Sequence, residues 1–199
     1  MARRHRNDAR PGHEDFFPLT DAERRAHADA LARSHAGHDS AERAANLCQA
    51  GEYYAMLDDH DRGEQMFRDA VAVEHGEPGI AQAAYASYLL DRKRTDEALA
   101  MIKEARRLRP RDPGVFAMIG EVLAEHGHPQ QAARWFTAGL VAHLGSLADI
   151  GLDGLRYDFD THLLAGGRYQ ARQELGLPCD HIDALVLELR RETVTSAGD

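Results

Sequence analysis

The residues of this chain best equipped for chemistry are its 12 histidines, its two cysteines and the carboxylates beside them. His35 and His38 stand next to Asp39, and His126 and His128 flank Gly127. Asp158, Asp160 and His162 crowd together late in the chain, and Cys179-Asp180-His181 forms a further trio. Catalytic zinc needs three protein ligands on a rigid frame, often two of them from one helix face. None of these groups forms a His-Glu-x-x-His arrangement, and the pairs fall at expected helix breaks or in short linkers. They read as solvated turns, with Asp158 and His162 spaced for an i, i+4 helix ion pair. Nucleophilic catalysis lacks its marks as well, since there is no Gly-x-Ser-x-Gly elbow. Cys48 lies in an Ala-rich helical stretch and reads as a packing residue, while Cys179, after Pro178, reads as a surface thiol. Gly166-Gly167-Arg168 is too short for either glycine-rich phosphate cradle. The expectation is a protein that is not an enzyme and uses no cofactor or metal. A metal-dependent enzyme built on the C-terminal His and Asp residues is the second alternative to it.

Composition says what must carry these residues. The chain has 199 residues, room for one domain with appendages. It is 43% hydrophobic but only 7% aromatic, and 33 residues are Ala. Ala has the highest helix propensity and lets backbones approach closely, whereas a β domain needs more β-branched and aromatic residues. Two cysteines cannot make a disulfide framework. No apolar run approaches the ~18 residues of a membrane span, so the expected location is the cytoplasm. Only Lys93 and Lys103 are lysines among 24 basic residues, a skew that points to a GC-rich, bacterial coding genome. The net charge is −9, yet Arg3, Arg4, Arg6 and Arg10 make the first residues basic, so the remainder is more acidic than the whole. An acidic body repels phosphates, so nucleic acid is not the expected partner. An Arg-rich leader touching nucleic acid or another anionic partner is the first alternative.

A repeat organises the middle of the chain. Gly63, Ala98 and Ala132 each follow a short polar turn, and a large apolar residue comes four later at Phe67, Ile102 and Phe136. A small residue follows three beyond that, at Ala70, Ala105 and Gly139. Upstream lie Leu47, Ala50, Gly51 and Tyr54; then Gln82, Tyr85, Ala86 and Leu89; then Phe116, Ile119, Gly120 and Leu123. The spacing i, i+3, i+4, i+7 puts each set on one helical face, so each unit reads helix, turn, helix. This pattern resembles the tetratricopeptide repeat, most fully in the third unit, with units at about 44–78, 79–112 and 113–146. In the second unit Gln82 replaces the usual aromatic, and in the first Gly63 stands where Ala is usual. One such hairpin cannot cover its own apolar face, so neighbours must stack into an array.

Around the repeats, residues 1–18 read as a disordered leader, with Phe16-Phe17 able to pin its end. Residues 19–38 hold a helix capped by Thr20 or Asp21 that shields the first repeat. Asp39 or Ser40 caps the next helix. Residues 147–191 read as a helical C-terminal cap: short turns around Leu147, Ile150, Leu152 and Leu155, a helix near 168–175, and a last helix near 181–191. Ile182, Leu185, Val186 and Leu189 form a stripe on that last helix. It is expected to act as the lid of the array, or else to pair with its twin in a homodimer. Residues 192–199 read as a frayed tail. The expected class is all-α, a tetratricopeptide-like solenoid of helical hairpins with a shielding helix at one end and capping helices at the other.

The resemblance implies a partner-binding concave face lined by the first helix of each unit. Carried onto this chain, it implies a groove at Glu52, Met56, Ile80, Ser87, Asp91, Met118, Glu121 and Glu125. The basic clamp by which co-chaperone members of the family hold a C-terminal carboxylate is missing. Cys48, Glu52, Ala84, Gly114 and Met118 stand where Lys, Asn and Arg would be. The expected function is a non-catalytic adaptor or scaffold that binds a protein segment with small apolar anchors and one or more Lys or Arg.

Overall fold

The computed structural model describes residues 19–34, 40–73 and 78–196. Among them there are ten α-helices, one 3-10 turn and no strand, so the chain is all-α. The leader, the Asp39 cap and residues 197–199 lie outside the described residues.

Helix α1 (Asp21–Arg33) begins where a Thr-x-x-Glu box allows it to begin. Thr20 accepts from the Glu23 N–H, and Glu23 accepts from the Thr20 N–H at 2.7 Å, which meets two donors the helix end would otherwise leave open. Its one buried residue, Ala28, packs with Ala50 and Tyr54 of α2, and the Tyr54 hydroxyl donates to Asp29 at 2.6 Å. The shielding role expected for this helix is the one it fills.

Three hairpins follow: α2 (Ser40–Met56) with α3 (His60–Val73), α4 (Ile80–Asp91) with α5 (Thr95–Arg107), and α6 (Pro113–Glu125) with α7 (Pro129–Leu144). Their joints are the same backbone object. Asp58, Lys93 and Gly127 each adopt a left-handed conformation, with φ of 56°, 60° and 77°. The next residue then donates its N–H back five positions: Asp59 to Tyr54 O at 2.9 Å, Arg94 to Leu89 O at 2.9 Å, and His128 to Leu123 O at 2.8 Å. This pattern satisfies the last carbonyls of a helix while reversing the chain, and it favours glycine at the left-handed place. Only the third joint has glycine there, so the first two carry some strain.

Within a hairpin the small residues determine how close the helices come. A Cβ on Gly51 would lie 2.9 Å from the Phe67 ring, and one on Gly120 would lie 2.6 Å from the Phe136 ring. Neither space exists for alanine without movement, so Phe67 and Phe136 fill the interhelical gap as the spacing predicts. Between hairpins, α2 packs on α4 and α4 on α6, while α3 packs on α4. One continuous core, from Leu47 through Leu89, Ile102 and Leu140, runs on into the C-terminal helices.

The C-terminal region departs from the expectation in several ways. The short turns are present, as a 3-10 turn at Leu147–Asp149 and as α8 (Leu152–Tyr157). The helix expected near 168–175 is α9 (Phe159–Glu174) and starts well before that, because Asp158 caps it through the Asp160 and Thr161 N–H groups. Asp158 therefore does not pair with His162; its carboxylate bonds to His143 at 2.7 Å, and His162 faces the Leu155 carbonyl at 3.1 Å. The last helix, α10 (His181–Ser196), runs through most of the stretch read as a frayed tail. The lid also differs: α9 packs on α6 and α7, and α10 packs on α8 and α9. Ile182 and Val186 of the expected stripe are buried within the chain.

The end of α9 repeats the earlier joint. Gly176 has φ 63°, and Leu177 donates to Arg172 O at 3.1 Å. Helix α9 is the element seated on the third hairpin, and α10 follows it, packing on α8 and α9.

Candidate functional site

The eight residues predicted to line a groove lie on α2, α4 and α6, but the structure gathers only two of them around one cavity. Glu52 and Met56 are exposed on α2, Met56 by 65%. Ile80 and Ser87 are half-buried on α4, and Met118 is exposed on α6. Asp91 is exposed at the end of α4, where its carboxylate bonds to His126 Nε2 at 3.1 Å. Glu121 and Glu125, one turn apart on α6, form one wall of a cavity of about 430 Å³. Its opposite wall is α9, with Leu163, Gln170 and Glu174, and Arg190 of α10 closes one side.

The α9 wall was beyond reach in the sequence, which places that helix only near 168–175, after Gly166-Gly167. Its signal is instead a packing one. A Cβ on Gly167 would run into the ring of Phe136, the same ring that excludes a side chain at Gly120. Phe136 is thus held between two glycines, and that contact brings α9 close enough to α6 to form the cavity.

The electrostatics of the cavity are one-sided. Burial pushes the Glu121 carboxyl above its ordinary value, and the charge of Glu125 adds to this. Glu52, on α2, is likewise raised by burial although part of its surface is exposed. The carboxylates of Glu121, Glu125 and Glu174 have no hydrogen bond or ion pair to any described residue. Arg190 is drawn aside over the Tyr169 ring, 4.9 Å from its centre. Such a cavity suits a cationic side chain that would supply the missing counter-charge.

The residues weighed for chemistry are placed differently from the sequence expectation. His143, Asp158 and Asp160 have donor atoms within 4.8 Å of one another, so His143 occupies the place expected of His162. Asp158 is already committed there: it accepts from the Asp160 and Thr161 N–H groups and from the Thr161 hydroxyl at 2.7 Å. These bonds and the one to His143 hold its carboxyl below the usual range against the opposing effect of burial. Cys48 is buried, as a packing residue should be, and Cys179 is exposed.

A clasp of four charged residues went unnoticed in the sequence. Arg168, 6% exposed, donates to Asp183, 0% exposed, at 3.0 Å, and Arg172 donates to the same carboxylate at 2.9 Å. Arg168 also reaches Asp180 and the Thr137 hydroxyl of α7. Asp180 and Asp183 exchange N–H bonds across the first turn of α10, at 3.2 Å and 3.1 Å. The cluster ties α7, α9 and α10 together and is fully paired, a structural role and not an open site.

No protein-family model matches the chain, and no curated protein matches it. Among the described residues no helix is long and apolar enough to cross a membrane.

Proposed function

We propose that this chain is a tetratricopeptide-like adaptor that does no catalysis and binds a protein segment carrying apolar anchors and Lys or Arg side chains. The reading rests on one observation: the carboxylates of Glu121, Glu125 and Glu174 line the α6–α9 cavity without an ion pair, while Arg190 at its edge lies over the Tyr169 ring. The three hairpins joined by equivalent turns support it, because hairpin arrays present their first helices as a binding layer. In this reading α2, α4, α6 and α9 form that layer. Glu52 and Asp91 extend its acidic character away from the cavity, and Met56, Ile80, Ser87 and Met118 supply its less polar surface.

Carboxylates of like charge held around one cavity without ion-pair partners repel one another, and a bound cation relieves that cost. Binding therefore favours the ionised form of Glu121. Affinity is expected to rise with pH through the raised range of that carboxyl and to level off above it. The test uses an amphipathic Leu/Lys peptide labelled for fluorescence anisotropy. The whole protein is expected to bind it saturably, and Glu121→Lys with Glu125→Lys is expected to weaken binding at least tenfold with unchanged helicity. Undiminished binding by the double variant, or no saturable binding by the parent, overturns the reading.

A further inference from the structure

A larger groove, about 800 Å³, lies on another side of the third hairpin and shares no residue with the acidic cavity. It runs between the α5–α6 bend, the length of α7, and the α9–α10 turn. Its floor is Phe116, Trp135, Ala138 and Val141, and Leu175 and Leu177 form one wall. Val141, Leu175 and Leu177 are each at least 37% exposed, so apolar surface here faces water.

The rim is basic. Arg106, Arg109, Arg134 and Arg172 line the groove, and no Asp or Glu does so among the described residues. Arg172 belongs to the buried clasp. The other three are not neutralised. The guanidinium groups of Arg109 and Arg134 make no hydrogen bond or ion pair with any described residue, and that of Arg106 only lies over the Trp135 ring at 5.8 Å. Several arginines elsewhere hold carboxylates: Arg25 pairs with Asp59, Arg94 with Glu64 and Glu97, Arg107 with Glu104, and Arg156 with Asp153. In a chain of net charge −9, three unpaired guanidinium groups collect around one apolar groove.

We propose that this groove is a docking site for an acidic segment of another protein, one that carries apolar side chains between its carboxylates. Charge complementarity selects the sign of the occupant. A guanidinium fork accepts a carboxylate through two parallel hydrogen bonds, and the apolar floor supplies burial for the anchors between them. The rim cations come from α5 and its following bend and from α7, so they match several carboxylates spread along a segment and not one headgroup. A nucleic acid strand would want exposed rings for base stacking, and Trp135 is 5% exposed. The two grooves of the molecule thus take segments of opposite charge.

Trp135 is the only tryptophan of the chain and forms part of the floor, so intrinsic fluorescence of the whole protein reports the groove directly. The probe is an amphipathic Leu/Glu peptide, with the Leu/Lys peptide of the same length as its counterpart. A saturable shift in Trp135 emission is expected with Leu/Glu. Arg109→Glu with Arg134→Glu should weaken that binding at least tenfold, and the milder Arg134→Gln should weaken it measurably with an unchanged helical circular-dichroism signal. Glu121→Lys with Glu125→Lys should leave it intact, which separates this groove from the acidic cavity. The proposal is overturned by no saturable shift, by equal affinity for the two peptides, or by binding indifferent to the arginine variants. Tighter binding of palmitate or of a single-stranded oligonucleotide than of Leu/Glu overturns it as well.

Discussion

Glu64 on α3 is where two hairpins are joined by charge. Its carboxylate accepts from Arg94 at 2.6 Å, from the Tyr85 hydroxyl at 2.9 Å and from Arg68 at 2.6 Å. The Arg94 hydrogen bond, working against burial and with help from Tyr85, holds its pKa down to about 2. A carboxyl lowered in this way contributes stability that is complete above its ordinary value, 4.5, and fades as the pH falls towards 2. Glu64→Gln is expected to destabilise the protein by roughly 1–3 kcal/mol at pH 7, the worth of hydrogen bonds to a charged group. The difference from the parent should close between pH 4.5 and 2, read by urea titration across that range. The sequence analysis did not single out Glu64, because its partners in the second hairpin, Tyr85 and Arg94, lie 21 and 30 residues away and only folding brings them near. Glu121 and Glu125 were legible by another route: the resemblance to the tetratricopeptide repeat implies both as groove positions on the first helix of the third unit.

Among elements, the hairpins were readable because each sets its own geometry with a small residue facing a large one, at Gly51 and Phe67 or Gly120 and Phe136. Helix α9 was legible only in its second half, because Gly166-Gly167 stands in its middle. Gly167 is there to admit the Phe136 ring, a requirement written in another helix. The α9–α10 pair then depends on its clasp. Burial works to raise Asp180, but Arg168, the Asp183 N–H and Arg172 outweigh it and keep the carboxyl at about 2. Asp183→Ala removes a fully buried carboxylate and leaves Arg168 and Arg172 without it. Breaking a buried pair from one side costs about 3–5 kcal/mol, so a large drop in melting temperature is expected. Hydrogen exchange should show α10 losing protection first, since its packing partners are α8 and α9 alone among its main contacts.

At the scale of the molecule, α2, α4, α6 and α9 pack in succession, and each of α3, α5 and α7 packs on its hairpin partner. This order was legible up to α7, since it follows from a near-constant period. The seating of α9 on α6 and α7, and with it one wall of the acidic cavity, was not. The arginine groove was hidden for a related reason: its rim and floor come from separate units, and a net charge of −9 conceals a local excess of the other sign. The equivalent left-handed joints at Asp58 and Lys93 have a consequence for how such a chain can change length. They are crossover points at which one copy can be spliced out without loss of backbone register. Deleting residues 59–93, so that Arg94 follows Asp58, puts α5 after α2 and sets Ile102 opposite Gly51. The shortened protein is expected to stay helical and to unfold cooperatively at a lower temperature. Collapse into an uncooperative, aggregating chain would show that the two joints are not interchangeable.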